Sequence, residues 1–307
     1  MKNNRIYIIA TISLIAGLAI FTGGFAMLNF DINKLTNQSE FEQKQYLSYE
    51  KSDKIIIDDY DINVRIFRSE SENLEVSYYE NNKQSYQIDE SQGTIKIQKI
   101  NTLKWYDYIF NISFVQCDLL IGVPKSFKGE IDCETSNAYI SLNNISLESL
   151  NLKTSNNNIL LENIEVNKSA QVNTSNGAIK LIKSEIGGEI ICNTSNAKVE
   201  LENVIAQNAN IRTSNGRIRL ENIECSENIT VKNSNSSILL REVKFGEMLD
   251  CQTSNGNISG EIDGKISDYS IKSITSNGKS NLPEILNGGN KVLYVKTSNS
   301  DIDINFK

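Results

Sequence analysis

A tripeptide, Thr-Ser-Asn, recurs through the last two thirds of the chain at an almost fixed interval. This recurrence limits the fold more than any other feature. Aligned on its first residue, it stands at positions 135, 154, 174, 194, 213, 233, 253, 275 and 297, with Asn233 replacing the threonine once. The steps are 19, 20, 20, 19, 20, 20, 22 and 22 residues. Self-similarity at a period near twenty marks a solenoid or array, in which each repeat buries its apolar face against its neighbours.

The apolar residues keep the same period. Two before each threonine stand Cys133, Leu152, Val172, Cys192, Ile211, Val231, Cys251 and Val295. Four before it stand Ile131, Leu150, Ala170, Ile190, Ala209, Ile229, Leu249, Ile271 and Leu293. Five and seven after it come Ile and Leu, as Ile159 and Leu161 or Ile218 and Leu220, and ten after it Ile145, Ile164, Val204, Ile223 and Val243. Within each run the spacing is two, the periodicity of a strand. Each coil therefore reads as two short strands, with one turn at Ser-Asn and another near Leu-Glu-Asn.

Two architectures place two strands in twenty residues: a stack of hairpins, and a β-solenoid in which each coil pairs with the next in parallel. Asn-Gly is a strong hairpin signal, yet glycine follows the Asn only as Gly177, Gly216, Gly256 and Gly278. Ala138, Asn157, Ala197, Ser236 and Ser300 take its place elsewhere. The constant pair is Ser136-Asn137, Ser155-Asn156, Ser175-Asn176, Ser195-Asn196, Ser214-Asn215, Ser234-Asn235, Ser254-Asn255, Ser276-Asn277 and Ser298-Asn299. A constant pair beside a variable third residue points to side chains that meet their own kind in the next coil, because stacked Asn amides form hydrogen-bonded ladders. The expectation is an all-β chain: a β-solenoid of about nine ~20-residue coils, spanning roughly 40 Å at about 4.8 Å per coil. Ser-Asn is then a structural turn ladder and not a site.

Residues 6–28 carry no charge and follow Lys2 and Arg5. A stretch of this length crosses about 30 Å of hydrocarbon as a helix, and it is longer than the apolar core of a secretory signal. The reading is an uncleaved transmembrane signal anchor, with residues 1–5 cytoplasmic and the rest outside the cell membrane by the positive-inside rule. Residues 29–50 read as a tether. Residues 51–130 read as an N-terminal β capping region, because they alternate in strand fashion without the tripeptide and a solenoid end must be covered. Residues 131–307 are the solenoid.

The formal net charge is −7. Without Lys2 and Arg5 the exported part is more acidic still, so nucleic acid is excluded as a partner, and an anionic wall polymer requires a cation or a local basic patch. The chain has no histidine, which removes the commonest general base and every imidazole metal site. Cys133, Cys192 and Cys251 fill the slot that Leu, Val and Ile fill elsewhere and read as core; Cys117 and Cys225 have no assigned place. No cysteine spacing matches a metal site.

The order of these pieces is a short alternating strand set, a strand ending in Val-Pro (Leu119–Pro124), then repeated Thr-Ser-Asn-Gly/Ala-x-Ile-x-Leu. It resembles the bacterial putative-adhesin family of β-strand-repeat envelope proteins, whose members include the membrane-anchored component of Lia-type envelope stress systems. The resemblance covers about residues 53–307. It implies a β-repeat domain outside a membrane anchor with a link to envelope stress, and it brings no catalytic residue.

Three clusters remain. Asp59, Asp61 and Asn63, with Glu70, imitate part of a calcium loop, but Val64 stands where such a loop needs glycine. Trp105, Tyr106, Tyr108 and Phe110 form the dense aromatic cluster; they read as a hydrophobic plug over the first coil or as an interaction tip for membrane, glycan or protein. Glu162, Glu202 and Glu221 repeat in line on the outside, as a solvated face or a weak cation row. Coils of 19–22 residues leave little room for the loops that gather catalytic carboxylates. The sequence thus predicts a non-enzymatic scaffold, sensor or adhesin-like surface with no metal or cofactor. Its expected partners are the membrane, through residues 6–28, and another envelope protein or a wall component.

Overall fold

The computed structural model describes residues 41–102 and 117–307, with helical backbone at Ser13 and Gly17. The expected membrane span at 6–28 and the aromatic cluster at 105–110 lie outside the described residues. Among the described residues no helix is long and apolar enough to cross a membrane. The chain divides into two compact units. One comprises residues 1–42, 80–85 and 101–116; in it Asn81 Oδ1 accepts the amides of Lys83 and Gln84 and closes a turn. The other, residues 43–79, 86–100 and 117–307, is a β-solenoid.

On the face before the Ser-Asn turn the strands lie parallel and in register. Ile131 pairs with Leu150, Leu150 with Ala170, Ala170 with Ile190 and Ile190 with Ala209. On the face after the turn, Ile140, Ile159, Ile179, Val199, Ile218, Ile238 and Ile258 stack in the same way. These columns are 0–3% exposed, and alternate residues face out. In-register parallel pairing sets like beside like, which is why one apolar pattern repeats through the chain.

Six successive coils have a third short face, beyond the two strands read from the sequence. After Leu-Glu-Asn the backbone turns at a residue of positive φ: Asn144, Asn163, Lys183, Asn203, Asn222 and Glu242, with φ between 48° and 57°. The chain then runs on as Ser146–Leu147 and Glu165–Val166, and later as the middle of Ile179–Asn193 and Val199–Arg212 and the end of Ile218–Cys225 and Ile238–Phe245. Its inward column is Leu147, Val166, Ile186, Ala206, Cys225 and Phe245. Cys225 finds its place here, 2% exposed between Ala206 and Phe245.

The coil order departs from the chain order at both ends. Residues 54–68, and the strands Thr94–Asn101 and Leu119–Val123, contribute two further levels lacking the tripeptide. Lys54–Asp58 pairs with Glu130–Glu134 on one side and with Thr94–Asn101 on the other. Val64–Arg68 likewise lies between Ile140–Asn143 and Leu119–Val123. The strands of this segment continue the parallel stack beyond the first tripeptide coil, with the earlier pair placed inside the later one. The C-terminal end mirrors this. Lys291–Lys296 sits between Met248–Gln252 and Tyr269–Ile274, so the last coil in the chain is the last but one in space.

At each end an antiparallel strand covers one strand of the last rung. Leu74–Glu80 covers Leu119–Val123, and Ile285–Leu286 covers Tyr269–Ile274. At the second end Asn281 also imitates a strand: its Nδ2 donates to Ile304 O at 2.9 Å, and its Oδ1 accepts from Ile304 N at 3.0 Å. Covered edges offer no template for growth with other chains.

Candidate functional site: the Thr-Ser-Asn edge

The tripeptide forms one continuous edge of the stack, and its three residues do different work. The first points inward. Thr154, Thr174, Thr194, Thr213, Thr253 and Thr297 are 0–7% exposed. Each hydroxyl donates to a main-chain carbonyl of the coil beneath, three residues past that coil's own Thr, as Thr194 does to Gly177 at 2.9 Å and Thr297 to Gly256 at 3.1 Å. Asn233 reaches the equivalent carbonyl, Gly216 O, at 2.7 Å through Nδ2, which explains how asparagine substitutes for threonine there. A buried carbonyl without a donor is costly, so the position is held to side chains that can donate.

The Asn side chains face outward and join into one ladder. Nδ2 of Asn156 donates to Oδ1 of Asn137, and the pattern continues through Asn176, Asn196, Asn215, Asn235, Asn255, Asn299 and Asn277, at 2.6–2.9 Å. The order 255, 299, 277 follows the reversed coils. Between them, each serine backbone carbonyl accepts the amide of the Asn above, as Ser136 O does from Asn156 N. The serines are half-exposed or exposed.

From the second TSN rung on, the residue after Asn alternates along the stack: Asn157, Gly177, Ala197, Gly216, Ser236, Gly256, Ser300, Gly278; the first rung sets Ala138 beside Asn157. At each glycine the backbone approaches the coil beneath too closely for a side chain. A Cβ on Gly177 would lie 1.7 Å from Asn157 O, and one on Gly256 1.8 Å from Ser236 O. The alternation holds only in the spatial order of the coils, since in chain order Gly256 and Gly278 would be neighbours.

Charges flank the edge on both sides. The residues just before the tripeptide and two after it include seven cations, Lys153, Lys198, Arg212, Arg217, Lys232, Lys279 and Lys296, and two carboxylates, Glu134 and Asp301. Glu134 is paired with Lys153 at 2.5 Å. In the sequence these cations form no basic run, because they stand about one period apart. The signal was available in the positions one before and four after each Thr.

The other clusters sort differently. Asp59 Oδ1 accepts the amides of Asp61 and Ile62 at 3.0 Å, and its Oδ2 takes the Tyr86 hydroxyl. Asp61 accepts Lys99 at 2.5 Å. These carboxylates serve a turn and a buried lysine, and Val64 is a strand residue, so the calcium-loop resemblance carries no site. The glutamate row is broken: Ile182 lies between Glu162 and Glu202, and Glu221 is paired with Arg219 and Arg241. Among the described residues no group of three His, Cys, Asp or Glu side chains is placed to hold a metal ion. An open depression of about 620 Å³ is lined by Arg68, Glu70, Lys125, Asn144, Asn163 and Glu165; Glu70 and Lys125 pair across it at 2.8 Å. The five cysteines are free and buried. Burial pushes the Cys225 thiol up to about 12 and Cys133, Cys192 and Cys251 well above the ordinary range, which suits packing and not nucleophilic chemistry.

A family model, Toastrack DUF4097, matches residues 52–305. The chain belongs to this family. The Toastrack match takes in the non-TSN coils at the N-terminal end as well as the TSN coils. Three solved structures are similar over most of their length. A putative adhesin from Bacteroides fragilis is 11% identical, with 89% of this chain and 99% of that one covered and a TM-score of 0.44. A putative cell adhesion protein from Clostridium sporogenes is 11% identical, with 87% and 100% covered and a TM-score of 0.22. A putative lipid binding protein from Parabacteroides distasonis is 15% identical, with 88% and 98% covered and a TM-score of 0.34. No curated protein matches the chain.

Proposed function

We propose that this Toastrack protein is a non-enzymatic contact surface of the bacterial envelope, anchored by residues 6–28 with its solenoid outside the membrane. It acts as a scaffold, sensor or adhesin-like surface, and the Lia-type resemblance links it to envelope stress. The observation that carries this reading is the unbroken edge through the TSN coils. Nine turns bonded to one another make a stiff rod with repeated side chains on display, and an enzyme site is needed once. The apolar segment 6–28 and the basic residues before it support the outward orientation.

Labelling in intact cells tests the location. The native thiols are buried, so Glu185→Cys on the exposed third face supplies one accessible thiol. A membrane-impermeant maleimide is expected to label it in whole cells; labelling only after lysis overturns the outward orientation. Co-purification of full-length protein with and without Trp105→Ala tests the aromatic cluster as an interaction tip, and unchanged partners remove that role.

A further inference from the structure

We propose that the Thr-Ser-Asn edge binds a linear phosphodiester polymer that lacks bases, laid along the stack, with Arg212, Arg217, Lys198 and Lys232 as its central contacts. This rests on the reading of the protein as a contact surface and names its partner class.

The chain is acidic, at −7, yet the edge carries seven cations against two carboxylates. In its middle these flanking positions hold cations and neutral residues and no carboxylate. Asn193, Arg212, Lys232 and Gln252 are successive partners before the turn. Lys198 and Arg217 stack after it, the Arg217 carbonyl accepting the amide of Val199. Arg212 and Arg217 flank a single turn, Arg-Thr-Ser-Asn-Gly-Arg, and both are exposed. The acids in reach are Glu200, 3.0 Å from Lys198, and Asp250, 3.7 Å from Lys232. Arg217 Nε donates to Ser237 Oγ at 3.0 Å, which holds it along the stack.

Between the two rows of cations runs the amide ladder. Each Asn after Asn137 uses one Nδ2 hydrogen in the ladder, and an amide carries two. The second hydrogens, with the serine hydroxyls, make a row of neutral donors repeated at about 4.8 Å. Donors between rows of cations suit a chain of regularly spaced anionic oxygens. Arginine favours phosphate because its planar fork bonds two oxygens at once. Single-stranded nucleic acid is bound by aromatic platforms between its cations, and from Lys153 to Lys296 the residues flanking the tripeptide include no aromatic side chain. The edge therefore fits a phosphodiester backbone and not bases.

Purified full-length protein in detergent, titrated with fluorescent poly(glycerol phosphate) at several salt concentrations, tests the proposal. Wild type is expected to bind with a salt-dependent affinity. Arg212→Gln/Arg217→Gln is expected to weaken binding about tenfold or more and to flatten the slope of log K against log salt by roughly 1.4, from two lost contacts at about 0.7 each. Lys168→Gln/Lys244→Gln, which removes two cations away from the edge, is expected to leave binding unchanged. The proposal is overturned if wild type does not bind, if the arginine variant binds as wild type does, or if the control variant loses as much. Equal affinity for oligo-dT overturns the choice of a base-free polymer. Because binding is measured on purified protein, it stands or falls separately from the outward location, which the labelling experiment decides.

Discussion

The middle of the solenoid and its C-terminal end use the same rung and connect it differently. From Glu130 to Ile262 each coil lies against its neighbour in sequence, 19 or 20 residues away. At the C-terminal end the chain steps over one level and returns to fill the gap, so Asn299 bonds Asn255 across 44 residues; at the N-terminal end it starts one level out, runs outward and then crosses back over that level to Glu130. The ladder passes through both kinds of junction without a break. A rung is therefore defined by its own residues, and the register of parallel strands does not encode which rung comes next. The returning coils have a different consequence. Their pairings close long loops, and they complete both edges of a neighbouring gap at once.

Deletions should separate the two regions most strongly. Removing residues 288–307 leaves Met248–Ile262 and Tyr269–Ile274 facing an empty level, and loss of cooperative thermal unfolding by circular dichroism is expected. Removing residues 175–213, two full periods from the middle, joins Thr174 to Ser214 and sets Gly216 over Asn157, keeping the alternation. That variant is expected to melt in a single transition; if it unfolds like the first, middle rungs are not interchangeable.

A smaller effect should come from the inward threonine. Thr194→Val leaves the Gly177 carbonyl without its donor, at a cost of about 1–3 kcal/mol. Thr275 makes the same bond to Ser300 at 2.8 Å but is half-exposed at the end rung. Thr275→Val is therefore expected to cost less, because water can replace the hydroxyl. Equal losses in urea titrations would show that the end is as dry as the middle.

Lys183 occupies the positive-φ turn where Asn163 and Asn203 stand above and below it in the stack. Asn tolerates this conformation better than a long side chain, so Lys183→Asn is expected to stabilise by up to about 1 kcal/mol. A neutral or destabilising result in the same titration would mean that Lys183 makes a compensating contact.

The smallest effect at neutral pH concerns the buried thiols. Cys133→Val/Cys192→Val/Cys251→Val places in those rungs the residue found at Val172, Val231 and Val295. The folded-state pKa of each thiol is raised above the ordinary 9.0 by burial. The stability this represents is whole below about 9 and drains away as pH rises, because the unfolded chain then releases a proton that the folded chain keeps. The triple variant should match wild type at pH 7 and lose less stability between pH 9 and 11. Identical alkaline profiles would show that other groups, among them Tyr86, whose hydroxyl burial and Asp59 hold protonated, govern that limb.

Much of the coil was legible in the sequence. The columns two and four before the threonine, and five and seven after it, mark strands because a side chain returns to the core every second residue. In-register stacking then writes the same pattern once per period. The third face was not legible as a strand, since Ser146–Leu147 and Glu165–Val166 are too short to show a period. Cys225 went unplaced for the same reason. The aromatic cluster at Trp105 lies outside the described residues.

By itself, then, the sequence determined the rung: which residues are inside, where the first turn falls, and that coils pair with coils. Only the tertiary structure decided the order of the end coils, because parallel in-register pairing is equally satisfied by any neighbour of the same pattern. Only the tertiary structure gathered the basic edge, because charges about twenty residues apart in the chain become neighbours about 4.8 Å apart when coils stack.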